Sequence, residues 1–126
     1  MRTPEETLAA QDNVQRHGSI IRLRPEHQDT YLRLHADVWP GVEQTLRSAN
    51  IRNYTIFLYR DLLFGYYEYV GDDHAADQAR IAADPETQRW WTLTDPCQRS
   101  LSEPNSGEWW TPMRQVWHLP GTPADR

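Results

Sequence analysis

The sequence is short of several features that would each indicate a particular class of protein. It contains one cysteine, Cys97, so an internal disulfide framework is excluded and a reducing compartment, the cytoplasm, is expected. All 13 of its basic Lys or Arg positions are arginine, which excludes lysine Schiff-base chemistry. The polar N-terminal stretch has no long apolar run, so we expect neither a signal peptide nor a membrane partner. The net charge of −5 argues against a nucleic-acid partner, because phosphates need a basic surface.

Motifs for metal, phosphate and nucleophile chemistry are missing as well. The five histidines show no close ligand spacing, so we expect no metal site. There is no glycine-rich phosphate loop and no GxSxG elbow. Cys97 has only Arg99 as a basic neighbour and is interpreted as a structural thiol.

The chain of 126 residues is long enough for one domain. We interpret residues 1–18 as a mobile polar arm, 19–120 as the domain and 121–126 as a mobile tail. The six Trp and six Tyr are many for this length. Aromatic rings fill cores and also line ligand pockets, so composition alone leaves both uses open.

Periodicity predicts an α+β fold with the element order β-α-β-β-α-β. Strands are predicted at 19–24, 52–59, 62–70 and 112–119, and helices at 26–39, 42–48, 74–83 and 85–95. This order is that of the ferredoxin-like plait, which has helices on one face of its sheet only. The predicted strands are apolar on both faces, which favours a homodimer formed sheet to sheet or a pocket on the open face.

One row of side chains on the first helix could carry chemistry. Tyr31, His35 and Trp39 are spaced i, i+4 and i+8 and therefore lie one above the other. A histidine between two aromatic rings is partly desolvated, with a pKa suited to proton transfer. From the spacing alone, a core histidine bonded to a backbone carbonyl is the more common outcome.

Other aromatic residues are candidates for a ligand site. Trp90 and Trp91 point about 100° apart on a helix, so one could pack in the core while the other stacks on the apolar face of a sugar. The Trp109-Trp110 pair, in a predicted loop, raises the same question. Tyr54 could offer its hydroxyl to a cleft, although an ordinary strand aromatic is more common.

Taken together, the segments YLRLHADVWP, RNYTIFL, LLFGYYEY, ADPETQRWW and TDPC resemble the L-rhamnose mutarotase family over roughly residues 19–120. The resemblance implies a dimeric ferredoxin-like enzyme, of the dimeric α/β barrel type. Such enzymes interconvert the α and β anomers of a 6-deoxy hexose without cofactor or metal. It also implies that His35 is the catalytic proton donor and that Tyr31, Tyr54, Trp90 and Trp91 bind the sugar.

The sequence departs from the rhamnose pattern in two places. Ala36, Asp37 and Val38 follow the histidine where rhamnose enzymes usually have Asn-Pro-Ile, and the stretch 107–110 is also unlike those enzymes. Because wider relatives act on L-fucose, both L-rhamnose and L-fucose stay open as substrates. The base that assists His35 is also open, with Tyr31, Asp95 and a bound water as candidates.

Two other functions fit the same pattern of residues. One is a cofactor-free monooxygenase or a haem-degrading dimer, in which a helical histidine could ligate haem. The other is a non-enzymatic sugar-binding module, which would keep the tryptophans but would not need His35. Fold alone does not choose among these readings.

Overall fold

The structure is a computed structural model that describes residues 13–102 and 107–121. Its elements in chain order are β1 (Gln15–Leu23), a 3₁₀ turn (Pro25–His27), α1 (Gln28–Ala36), α2 (Pro40–Ser48), β2 (Ile51–Tyr59), β3 (Leu62–Tyr69), α3 (His74–Ala83), α4 (Pro85–Thr94), a second 3₁₀ turn (Asp95–Cys97), β4 (Gln98–Arg99) and β5 (Thr111–Met113). Among the described residues, no helix is both long and apolar enough to cross a bilayer.

The strands form one antiparallel sheet in the order β2-β3-β1-β4. β5 also pairs with β1, at residues 18–20, so β4 and β5 share the edge of β1 that faces away from β3. This order and the intervening helices confirm the predicted α+β ferredoxin-like plait.

Three predicted element boundaries differ from the structure by more than two residues. β1 begins at Gln15 instead of 19, because residues 15–18 pair in register with residues 66–69 of β3. α1 ends at Ala36 instead of 39, because Trp39 precedes a proline and takes an extended conformation. The strand predicted at 112–119 is limited to Thr111–Met113. Beyond it, residues 114–119 form an irregular segment with an exposed Val116, Trp117 and Leu119.

The predicted mobile arm and tail fall partly outside the described residues. Positions 1–12 of the arm and 122–126 of the tail are not described. The rest of the arm includes the start of β1, which pairs with β3, so that part is not a mobile arm.

The core lies between the sheet and the helices, in two clusters. One contains Ile21, Leu23, Leu63 and Cys97 of the sheet region, packed against Tyr31 of α1. The other contains Ala49, Ile51, Tyr69 and Ile81. The first cluster fixes α1 on the sheet by its Tyr31 side, which places the neighbouring turn of the helix, with His35, at the edge of the core.

The helix that carries the first tryptophan pair has a well-formed N-terminus. The carboxylate of Asp84 accepts hydrogen bonds from the backbone N–H of Thr87 at 2.9 Å and from its hydroxyl at 2.8 Å. Pro85 follows at the first helical position, where its missing N–H costs nothing. These features begin α4 at a defined residue and so orient Trp90 toward α1.

Candidate active site

His35 lies in the last turn of α1, and one hydrogen bond fixes its ring. Its Nδ1 lies 3.0 Å from the carbonyl oxygen of Tyr31, one turn earlier. Because a carbonyl can only accept, Nδ1 carries the hydrogen of this bond, and Nε2 is the atom that can exchange a proton with a ligand. Burial lowers the pKa of His35 below its ordinary value, so the ring is mainly neutral at pH 7.

Aromatic rings enclose His35 on two sides. The Tyr31 ring stacks on it with centroids 4.1 Å apart, and the Trp90 ring meets it edge-on at 5.5 Å. Trp39 contacts Trp90 at 5.2 Å, also edge-on. The structure therefore brings together the row predicted on α1 and one tryptophan of α4.

The two tryptophans of α4 occupy different environments, as their angular separation on the helix predicts. Trp90 is buried at 5% exposure, whereas Trp91 is 37% exposed. Among the described residues, it is Trp90 rather than Trp91 that has ring contacts with the His35 cluster.

The Tyr31 hydroxyl is the second polar group of the cluster. It accepts a hydrogen bond from Nε2 of Gln98 at 3.3 Å, and Oε1 of Gln98 accepts one from the indole of Trp109 at 3.2 Å. Burial raises the pKa of Tyr31, and the nearby Tyr54 phenol raises it further, so this hydroxyl stays protonated at neutral pH. Sequence reasoning missed Gln98, because a glutamine in a predicted polar loop carries no signal of burial.

Tyr54 lies where β2 departs from regular pairing with β3. The register shifts between Arg52 and Thr55, and Asn53 adopts a positive φ of 52°. The residue as a whole is 44% exposed, but burial around its phenol group raises the pKa of Tyr54 to about 12, with a further contribution from Tyr67.

Comparison with known proteins identifies the family. A family model described as L-rhamnose mutarotase matches residues 16–119. The L-rhamnose mutarotase of Listeria monocytogenes serovar 1/2a is 32% identical over 108 residues, which cover 84% of this chain and 99% of that protein.

The chain belongs to the L-rhamnose mutarotase family. Membership confirms the resemblance found in the sequence and makes the chain an isomerase that exchanges sugar anomers. It favours this function over the monooxygenase, haem and binding-module alternatives.

Two solved structures share the fold of this mutarotase family member. The L-rhamnose mutarotase of Formosa agariphila superposes with a TM-score of 0.66 at 19% identity, covering 84% of this chain and 99% of that one. The tetracenomycin F2 cyclase of Streptomyces glaucescens, a type-II polyketide cyclase, gives 0.63 at 14% identity with the same coverage. At these identities the likeness concerns the fold alone, and the second structure shows that the fold also serves other chemistry.

A cluster of His17, His74 and Tyr67 lies beside Tyr54, and the sequence did not predict it. The His17 and His74 rings are parallel with centroids 4.2 Å apart, and the Tyr67 hydroxyl lies 2.7 Å from Nε2 of His74. Burial, followed by the His74 charge, lowers the pKa of His17. The centroid of the Tyr67 ring lies 5.5 Å from that of Tyr54, so this cluster packs against Tyr54.

Cys97 and Asp95 are the remaining candidates, and Cys97 packs in the core cluster that contains Tyr31. Cys97 is buried, and burial raises its pKa, as a structural thiol requires. Asp95 is exposed at the C-terminal end of α4, and partial burial of its carboxyl raises its pKa. The described residues bring together no group of three His, Cys, Asp or Glu side chains suited to a metal.

A separate cleft of about 370 Å³ lies between α2 and α3, away from His35. Its lining residues are Thr45, Ser48, Ala49, Arg80, Ala83 and Asp84. Because Arg80 is already bonded to the Ser48 carbonyl and to Asp77, we assign no catalytic role to this cleft.

Proposed function

We propose that the region around His35 exchanges the α and β anomers of a 6-deoxy hexose, L-rhamnose or L-fucose. The observation that carries this proposal is the fixed histidine ring, bonded through Nδ1–H to the Tyr31 carbonyl and enclosed by the Tyr31 and Trp90 rings. Membership in the L-rhamnose mutarotase family supports it.

In the proposed reaction, Nε2 of neutral His35 accepts the proton of the anomeric hydroxyl. The bond between C1 and the ring oxygen breaks, and the imidazolium returns a proton to that oxygen, which gives the open-chain aldehyde and restores neutral histidine. Rotation about the C1–C2 bond followed by the reverse steps closes the ring on the other face of C1. No proton is gained or lost, and a positioned acid-base group of this kind contributes on the order of 10²–10⁴-fold.

The sugar-binding part of the proposal assigns different contacts to the aromatic residues. We assign to the nearly buried Trp90 an edge contact with the sugar. The exposed Trp91 is suited to stacking its ring face on C–H groups. The phenols of Tyr31 and Tyr54 are neutral at pH 7 and suited to donate hydrogen bonds to sugar oxygens.

We include a homodimer and a cytoplasmic location in the proposal. The sheet face opposite the helices exposes Phe57 at 62% and Tyr59 at 60%, side chains that a second copy would cover. The single cysteine, a buried free thiol, is typical of a reducing compartment.

Saturation transfer between the anomeric protons, measured by NMR with L-rhamnose and with L-fucose, tests the activity. We expect His35→Asn to slow exchange by about 10²-fold or more, because the amide cannot shuttle the proton. The matched control is His27→Asn, at the start of the same helix, with a rate within about 2-fold of wild type. Wild-type protein that accelerates neither sugar, or a fully active and folded His35→Asn variant, would overturn the proposal.

A further inference from the structure

We propose that Gln98 and Trp109 are positioning residues that direct the Tyr31 hydroxyl to donate a hydrogen bond to the ring oxygen of the sugar. This inference rests on the proposed function and adds two residues that the family resemblance does not assign. Gln98 begins β4, and Trp109 lies in the stretch that departs from the rhamnose pattern. Both come from the C-terminal part of the chain, whereas Tyr31 lies in α1.

The direction of the hydrogen bonds follows from the indole. An indole N–H can only donate, and that of Trp109 lies 3.2 Å from Oε1 of Gln98. A flipped amide would place its own NH₂ group against this donor, so the contact fixes the orientation of the Gln98 amide. Its Nε2 is then the donor to the Tyr31 oxygen at 3.3 Å.

Burial protects the hydrogen bonds that join Trp109, Gln98 and Tyr31. Gln98 is 4% exposed and Tyr31 is 3% exposed, so water does not compete for these groups. With its oxygen already accepting from Gln98, the phenol must direct its own hydrogen away from the amide. Because the Tyr31 ring is stacked on His35, we place that hydrogen toward the proposed sugar site, which His35 borders.

The neutral phenol therefore acts as a donor and not as the base, which in the proposed reaction is Nε2 of His35. When the bond between C1 and the ring oxygen breaks, negative charge builds on that oxygen before the imidazolium proton reaches it. A hydrogen-bond donor fixed in advance at this point stabilises the transition state more than the ground state. The bond from Gln98 to the phenol oxygen strengthens the phenol as a donor, because hydrogen bonds in a chain polarise one another.

A double-mutant cycle with Tyr31→Phe tests this inference by the saturation-transfer rate at saturating sugar. We expect Gln98→Met and Trp109→Phe each to lower kcat about 5-fold in the wild-type background. In the Tyr31→Phe background, adding Gln98→Met is expected to change kcat by less than about 2-fold, because the hydroxyl that it positions is gone. Gln88→Met, on the exposed surface of α4, is the matched control and is expected to keep wild-type kcat.

Gln98→Glu provides a directional test. The introduced carboxylate can accept from Trp109 but cannot donate to Tyr31, so it draws the phenol hydrogen away from the sugar. We expect kcat to fall further than in Gln98→Met, roughly 10-fold or more below wild type. Thermal unfolding verifies that each variant is folded. If Gln98→Met does not fold, Trp109→Phe, which retains an aromatic ring, replaces it in the double-mutant cycle.

Two results would overturn the inference: an equal loss from Gln98→Met with and without the Tyr31 hydroxyl, or a Gln98→Glu variant as active as wild type. Failure of the proposed function has a different signature, because wild-type protein itself would then exchange neither sugar.

Discussion

The hydrogen bond from Nδ1 of His35 to the Tyr31 carbonyl determines which histidine atom can react. This is also the bond that an ordinary core histidine makes, so the structural and the catalytic interpretations describe the same contact. They differ in what surrounds Nε2, and two aromatic rings place His35 in an environment that disfavours its charged form. A neutral resting histidine is what the proposed reaction requires.

The pH dependence of exchange follows from the lowered pKa of His35. Protonation removes the Nε2 lone pair, so kcat/KM is expected to be level above the histidine pKa and to fall as pH drops through it, in a window below 6.5. NMR saturation transfer from pH 4.5 to 8, corrected for the buffer-catalysed reaction, measures this profile.

His17 also has a lowered pKa, so His17→Gln is the control for this profile. The variant is expected to keep the fall in kcat/KM at acidic pH. His17 stacks on Tyr67 and His74 and is not part of the ring cluster around His35. A rate that instead increases as pH falls would show that the imidazolium is the resting form and would contradict the proposed order of proton transfers.

At the scale of elements, local patterns predicted most of the fold. The hairpin of β2 and β3 follows from two runs rich in β-forming residues that are joined by a tight turn at residues 60–61. The helices α3 and α4 follow from Asp or Asp-Pro at their starts. Local sequence patterns predicted only the part of the candidate site that lies within one helix. The pairing of Tyr31 with His35 follows from helical spacing, whereas Trp39 lies beyond the end of α1. The contact of Gln98 with Tyr31 spans 67 residues and depends on how β4 pairs with β1.

Gly65 in β3 is an element-scale requirement of the site. A Cβ at this position would lie 3.2 Å from Cζ3 of Trp110, whose ring packs against the core cluster that contains Tyr31. Gly65→Ala is expected to shift Trp110, and with it the adjoining Trp109, and to lower kcat roughly 3–10-fold. Saturation transfer measures the rate, and a folded variant with unchanged kcat would contradict the prediction.

Gly18, in the paired strand β1, supplies the matched control. A Cβ there would meet the terminal methyl of Met113 at 3.3 Å, which is the flexible end of a side chain and can rotate away. Gly18→Ala is therefore expected to keep kcat within about 2-fold of wild type.

Asp84 begins α4 and is expected to contribute to stability through its two hydrogen bonds to Thr87. Asp84→Ala removes both and is expected to lower the melting temperature by roughly 3–6 °C at pH 7. Asp73→Ala, which removes a single bond to Ala76 at the start of α3, is expected to have a smaller effect in the same calorimetric measurement.

The effect of Asp84 should depend on pH with a definite sign. Hydrogen bonds from the Thr87 hydroxyl and N–H lower the pKa of Asp84, so its stabilisation is present above the carboxylate's ordinary pKa. It is lost as pH falls through the lowered folded-state pKa. The difference in melting temperature between wild type and Asp84→Ala is therefore expected to shrink toward pH 3, and a constant difference would contradict this account.

At the scale of the whole molecule, the plait leaves one face of its sheet without helices. The core clusters lie on the other side, whereas this open face exposes Phe57, Tyr59 and Met113. The irregular segment after β5 also exposes Val116, Trp117 and Leu119, which are all more than half exposed. Burial of such side chains in a monomer would require a further layer, and the described residues contain none, so a second copy is the proposed cover.

The homodimer can be tested by sedimentation or light scattering on the 14.8 kDa chain. Phe57→Glu places a charge on the proposed interface, where it would be desolvated without a partner, and is expected to weaken dimerisation by roughly 10-fold or more. Leu32→Glu, at a comparably exposed apolar position on α1, is the control and should remain dimeric because it lies on the helix side. A monomeric wild type, or a Phe57→Glu variant that dimerises like wild type, would show that this face is not the interface and that its aromatic residues have another use.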